Sequence, residues 1–162
     1  MKKLAIFAAV AALSTAPAFA GFNADVHGGI SRFSALGSNG GTQFSYGAGL
    51  GYDFDVSKTV FVGPQVGIDG ETVSSGFSGV NLSAVIRAGV KVSPADKLYV
   101  LGGYANQSAS GTSVDGWRLG AGYERSFGKM MFAKVEYRHT EYKSGGITLQ
   151  QNAGLLGVGV HF

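Results

Sequence analysis

The strongest constraint in this chain is strict alternation of large apolar and small polar residues over unusually long runs. From Phe44 to Phe54 one face reads Phe44, Tyr46, Ala48, Leu50, Tyr52, Phe54, and the other Ser45, Gly47, Gly49, Gly51, Asp53. From Val80 to Val92 one face is Val80, Leu82, Ala84, Ile86, Ala88, Val90, Val92, and the other Asn81, Ser83, Val85, Arg87, Gly89, Lys91. A period of two is the mark of a β-strand with chemically different faces. Globular strands average about five or six residues, whereas a strand that crosses a bilayer needs ~9–11. The 27 glycines would weaken any helix, and beyond Gly21 no segment holds helical spacing for three turns.

Six further segments complete a set of eight: Asn23–Phe33, Thr59–Asp69, Leu98–Asn106, Gly116–Phe127, Met131–Tyr142 and Thr148–Phe162. The links alternate in length. Asp55–Lys58, Ser93–Lys97 and Gly128–Met130 are tight turns. Ser34–Thr42, Gly70–Gly79, Gln107–Asp115 and Lys143–Ile147 are mostly longer and rich in Gly, Ser and Asn. Short turns at one end and longer loops at the other are the plan of an outer-membrane barrel. Pro64 cannot donate to a ladder, so Gly63-Pro64 predicts a bulge or local break. Leu98–Asn106 is apolar on both faces, and its phase stays open.

Which face is wet decides between a soluble and a membrane barrel. A water-facing surface carries dense Lys and Glu, but only 14% of this chain is charged, well below the usual ~25%. Glycine and serine dominate the small face. The interior of an eight-stranded barrel is only just wide enough for side chains, so the small face points inward and the large apolar face meets lipid. Phe44 and Tyr46 at one end of the second strand, with Tyr52 and Phe54 at the other, fit two interfacial aromatic girdles.

Residues 1–20 stand apart from this pattern. Lys2 and Lys3, the apolar run Leu4–Leu13 and Ala18-Phe19-Ala20 have the layout of a secretory signal peptide. The apolar run is half the ~20 residues that a spanning helix needs. The expected organisation is a signal peptide over 1–20 and one barrel domain over 21–162. Removing the leader takes away two of 13 basic residues and leaves a formal charge of +1, with no basic stripe for nucleic acid. The absence of cysteine excludes disulfides and thiolate metal sites.

With the apolar face outward, the inward phase carries Asp25, Asp53, Asp69, Glu124 and Glu136 against Arg87, Lys91, Arg118, Lys134 and Arg138. Both termini are expected on the periplasmic side. Asp25, His27, Asp53, Lys91 and Glu124 then lie toward the periplasm, and Arg87, Lys134 and Glu136 near mid-height. Asp69, Arg118 and Arg138 lie toward the outside. Unpaired charges in a poorly hydrated lumen are costly, so the balanced set reads as an ion-pair plug, with Glu136 as the expected partner of Arg87. A charge-lined, weakly conducting path is the alternative.

No chemistry-bearing motif competes with this reading. Gly47-Ala48-Gly49-Leu50-Gly51 lies inside a strand with no helix after it, unlike a dinucleotide loop. His27, His139 and His161 show no metal-ligand spacing. His139-Thr140-Glu141 places a His and a Glu on the lipid side of the seventh strand, where some small barrels deacylate lipid A with His and Ser at that spacing. Glu141 stands at the serine position, so no nucleophile is in reach of a base. These residues read instead as an interfacial pair in the headgroup zone. No enzyme activity, cofactor or metal is expected.

The chain ends with Leu156, Val158, Val160 and Phe162 alternating with Gly157, Gly159 and His161. This resembles the carboxy-terminal strand signal by which outer-membrane proteins are recognised for assembly, with Phe162 as its aromatic end. Gly116-Trp117-Arg118-Leu119-Gly120-Ala121-Gly122-Tyr123-Glu124 and Ala133-Lys134-Val135-Glu136-Tyr137-Arg138 resemble the sixth and seventh strands of porin-like surface antigens, which share their fold with OmpA/OmpX-type barrels. The resemblance spans most of 21–162. It implies an all-β, eight-stranded antiparallel up-and-down barrel in the outer membrane of a Gram-negative cell. Its partners would be outer-membrane lipid, lipopolysaccharide and the assembly machinery. No counterpart of OmpA's peptidoglycan-binding domain is expected after Phe162. Such barrels serve as envelope proteins, narrow channels or adhesins. The expected role is a monomeric structural or surface-exposed envelope protein with a plugged lumen; a narrow porin comes second. An adhesin comes third, because the loops carry few anchors besides Phe77, and hot spots favour Trp, Tyr and Arg.

Overall fold

The computed structural model describes residues 21–35, 38–72, 78–109, 112–144 and 147–162. Nine hydrogen-bonded segments follow in order: β1 (Phe22–Ala35), β2 (Ser38–Tyr52), β3 (Phe54–Asp55), β4 (Val60–Thr72), β5 (Ser78–Lys91), β6 (Asp96–Ala109), β7 (Thr112–Phe127), β8 (Met131–Ser144) and β9 (Ile147–His161). Every pairing is antiparallel between chain neighbours, and β1 also pairs with β9, which closes the ring. β3 continues β2 past Asp53, so the nine segments form eight staves. Closure leaves no free edge. No helix among the described residues is long and apolar enough to cross a membrane; the crossing elements are strands.

The β2–β3 interruption is the effect of Pro64. Pairing with β4 runs to Gly51↔Gln65 and resumes at Phe54↔Val62 in the same register. On its other edge β4 stays paired through Pro64↔Ile86. The expected alternatives resolve to a local break, because a missing N–H removes a ladder bond without adding a residue. Asp53 N–H donates instead to Gly21 O at 2.7 Å. Gly63 is required beside this break: a Cβ there would collide with the Tyr52 carbonyl. The recorded register shift lies elsewhere, in β1 between Arg32 and Ser34.

The phase of β6 is now fixed. Tyr99, Leu101 and Ala105 are buried in the lumen, and Leu98, Val100 and Tyr104 face out. The β4, β5, β7 and β8 strands also run further toward the loop end than the alternation indicates. Beyond the membrane, outward positions such as Asn106, Ser113 and Asp115 are polar, so hydrophobic alternation no longer marks a ladder that continues in water. Phe77 and residues 1–20 lie outside the described residues.

Candidate functional site

Among the described residues, the buried charged side chains gather in the lumen. Strand alternation sends every second side chain inward, and inward glycines create the space that large residues fill. Gly122 leaves room for the Tyr99 ring, and Gly47 for the His27 imidazole and the Asp69 carboxylate. Phe61, Val85, Tyr99 and Leu101 form an apolar cluster inside the barrel wall.

Around that cluster, charged side chains form a continuous network. Nearest the turn end, Lys97 Nζ lies 2.9 Å from Asp53 and 3.2 Å from Glu124. Arg87 Nη2 donates to Glu124 Oε2 at 3.0 Å and lies 4.0 Å from Asp53. His161 Nε2 approaches Glu124 at 3.2 Å. The Arg87 guanidinium stacks over Tyr99, 4.1 Å from the ring centroid. The Tyr99 hydroxyl donates to Glu136 at 2.6 Å, which carries the network into a second tier.

There Arg138 donates to Glu136, and Lys134 Nζ lies 2.9 Å from Asp25. His27 bridges two carboxylates, Asp25 through Nδ1 and Asp69 through Nε2, both at 2.7 Å. Asp69 also receives Arg118 and Arg138 at 3.0 Å each. Toward the loop end, Arg118 donates to Thr140 and Asn81, and Asn81 to Tyr142. Tyr142 donates to Gln151, and Gln151 and Gln107 donate to Glu71. The chain of contacts thus runs from Asp53 to Glu71, through the length of the barrel. Between Gln65, Ser83, Arg118 and Arg138 a cavity of about 10 Å³ remains, about the size of one water.

Of the ten charged residues expected in the lumen, nine are buried there: Asp25, Asp53, Asp69, Arg87, Arg118, Glu124, Lys134, Glu136 and Arg138. Lys91 is not among them. It lies at the rim, pairing with Asp55 at 2.7 Å with 29% of its side chain exposed. The partner of Arg87 is Glu124 rather than Glu136, because the Tyr99 ring stands between Arg87 and Glu136. Phe162 lies at the seam: its N–H donates to Phe22 O at 3.0 Å, and the two rings sit 5.6 Å apart.

A family model described as "Outer membrane protein beta-barrel domain" matches residues 5–162. The chain belongs to that family. It is therefore an outer-membrane barrel protein, embedded in lipid through the apolar outer face already described. No curated protein matches it. Among solved structures, Neisserial surface protein A is similar at 15% identity and a TM-score of 0.71, over 87% of this chain and 97% of that one. Ail, the attachment invasion locus protein of Yersinia pestis, is similar at 17% identity and 0.59, over 89% and 100%. The outer membrane enzyme PagL is similar at 17% and 0.54, over 82% and 97%. These likenesses show the shared fold, and a fold that hosts both surface proteins and an enzyme leaves activity open.

Within this outer-membrane barrel, the network takes in further side chains that alternation alone does not single out. Glu71 falls in the loop after Asp69 on the alternation, yet it continues the inward phase of Asp69. Lys97 falls in a turn, yet it shares the phase of Tyr99. His27 and His161 join the network through carboxylates, Asp25 and Asp69 for the first and Glu124 for the second. With Lys91 replaced by Lys97, the described lumen holds six carboxylates, Asp25, Asp53, Asp69, Glu71, Glu124 and Glu136. Facing them are five permanent cations, Arg87, Lys97, Arg118, Lys134 and Arg138, and His27.

Proposed function

We propose that this outer-membrane barrel is a monomeric envelope protein with a structural or surface-exposed role, its lumen closed by an ion-pair plug. The observation that carries this reading is the unbroken network from Asp53 to Glu71, packed around an apolar cluster with a residual cavity of about 10 Å³. Each cation is held by carboxylates, so opening a path would separate charges in a medium where separation is costly. Phe162 acts in this reading as the end of an assembly signal, and residues 1–20 as a leader removed on export. Lipopolysaccharide and the assembly machinery are its partners. The outcome expected from planar-bilayer recording of the refolded protein is no steady conductance. Large, regular single-channel steps would overturn the plug.

A narrow porin is the second reading. Asn23, Arg87 Nε and Nη1, and Gln65 Oε1 are buried without hydrogen-bond partners among the described residues, and water threading the network would satisfy them. The same recording separates the two readings.

A further inference from the structure

At the turn end of the lumen the network leaves one carboxylate half used. Asp53 is buried, with 7% of its side chain exposed, and both cations that approach it do so at the same oxygen. Lys97 Nζ lies 2.9 Å and Arg87 Nη2 4.0 Å from Oδ2. Oδ1 is buried and has no hydrogen-bond partner among the described residues. A buried carboxylate oxygen without a donor is costly, so this one calls for a further donor.

Gly21 stands where that donor would come from. The β1–β2 register runs Asn23↔Gly51 and Phe22↔Tyr52, which sets Gly21 opposite Asp53, and Gly21 O accepts from Asp53 N–H at 2.7 Å. Cross-strand partners lie about 4.5–5.5 Å apart between Cα atoms, so a group on Gly21 N is within reach of the Asp53 carboxylate. Gly21 has φ +107°, and a Cβ there would lie 2.5 Å from the Asp53 carbonyl oxygen, so position 21 favours glycine on both counts. In the sequence this glycine directly follows Ala18-Phe19-Ala20, the end of the expected leader. In the uncut chain Gly21 N is an amide with one N–H and no charge. Hydrolysis of the Ala20–Gly21 bond adds one water. The Ala20 carbonyl carbon takes the oxygen and leaves as a carboxylate, and Gly21 N takes the two protons to become an ammonium with three donors.

We infer that removal of the leader completes the plug: the new Gly21 ammonium pairs with Asp53 through Oδ1. The pairing rests on the leader removal proposed above. It gives each oxygen of Asp53 a cationic donor, and it fastens the start of β1 to β2 beside the Pro64 break, where the ladder on the other edge of β2 lacks a bond. The uncut chain offers neither the charge nor the donors at this point, so the barrel gains its full stability only after processing. The Phe162 carboxylate is the competing partner, since Phe162 N–H donates to Phe22 O at 3.0 Å. It lies on the β9 side of β1, whereas Asp53 lies on the β2 side, opposite Gly21, and is buried.

The test is urea unfolding of the chain from Gly21 to Phe162 refolded in detergent, with its terminal amine free and with that amine selectively acetylated. Heat-modifiable gel mobility confirms that each form is folded. Acetylation is expected to lower the folding equilibrium constant about tenfold, equivalent to about 1.4 kcal/mol. In Asp53→Asn it should have almost no effect, and in Asp55→Asn, which alters the exposed acid nearby, the tenfold loss should persist. In the unaltered sequence, acetylation should also move the carbon-13 carboxyl resonance of Asp53 and leave that of Asp55 in place, a readout that needs no variant. No loss on acetylation, an equal loss in Asp53→Asn, or an unmoved Asp53 resonance would each overturn the pair. The intact mass of protein extracted from outer membranes reports leader removal separately. A start other than Gly21 would overturn the leader boundary and the pair with it, whereas a Gly21 start with no effect of acetylation would overturn the pair alone.

Discussion

The Arg87 guanidinium stands 4.1 Å from the centre of the Tyr99 ring, and that contact separates Arg87 from Glu136 while linking the two through the Tyr99 hydroxyl. The arginine is fully buried, with Tyr99 as its nearer aromatic neighbour, Phe61 farther off at 5.7 Å, and Glu124 as its hydrogen-bonded ionic partner beside the more distant Asp53. A desolvated cation over an aromatic face gains about 2 kcal/mol. Arg87 therefore joins the tier near the turns to the tier at mid-height.

Replacing Arg87 alone is expected to be expensive. Arg87→Met leaves Glu124 with Lys97 and His161 but without its buried hydrogen-bonded cation, and breaking such a pair costs about 3–5 kcal/mol. Arg87→Met with Glu124→Gln should cost less than the two single changes added together. A double-mutant cycle on urea unfolding in detergent checks this. The Arg87–Glu124 coupling should exceed the Arg87–Glu136 coupling, which passes through Tyr99. The reverse order would show that the ring does not insulate Glu136.

Much of this arrangement is legible in the sequence. Alternation identifies the inward phase, and nine of the ten expected charges lie in the lumen. Lys91 departs because inwardness and burial part company at a barrel rim: a residue at the end of β5 can point inward and still reach Asp55 in water. Glu71 and Lys97 escape notice because strand ends are read from apolar residues, and ladders continue after those residues stop. The pairing of Arg87 is not legible at all. Facing partners across a lumen depend on barrel tilt and stagger, which no single strand encodes.

His27 completes the charge inventory. Its two ring nitrogens each lie 2.7 Å from a carboxylate oxygen, and a neutral imidazole has only one N–H to donate. The geometry calls for the imidazolium, despite Arg138 Nη1 at 3.4 Å from Nε2 and Lys134 nearby; Asp25 and Asp69 outweigh them by contact. With it, six basic side chains face the six carboxyl groups, and His161 approaches Glu124 from the rim. Nitrogen-15 NMR of the refolded protein at neutral pH should show both His27 nitrogens protonated. A neutral-tautomer pattern would mean either that one of the two contacts is absent or that the proton sits on one of the two carboxyl groups.

Gly63 offers a test of the Pro64 break. Its missing Cβ is what lets β4 approach the Tyr52 carbonyl, so Gly63→Ala must displace backbone. Overpacking of this kind costs about 1–3 kcal/mol. Gly128→Ala provides a contrast, since no atom lies near its Cβ site and the penalty there comes from its positive φ of 70°. Urea unfolding should show the larger loss for Gly63→Ala. An equal or smaller loss would mean that the gap in the ladder arises without this close approach.

Phe162 serves both closure and assembly in this account, and the two can be separated. For closure it contributes one backbone hydrogen bond to Phe22 and one ring contact, both at the margin of a β1–β9 ladder that otherwise runs from Asn23↔His161 to Ala35↔Leu149. A net hydrogen bond is worth about 0.5–1.5 kcal/mol and an aromatic pair about as much, so deletion should lower detergent stability by roughly 1–3 kcal/mol. That leaves a long ladder intact. In cells the terminal aromatic would be read before the barrel forms, and its loss should cut outer-membrane insertion far more than that change in stability implies. The comparison is between membrane-fractionated yield in cells and urea unfolding of the protein refolded in detergent, for the full chain and for the chain lacking Phe162. Normal insertion with a destabilised barrel would leave Phe162 with its seam contacts alone.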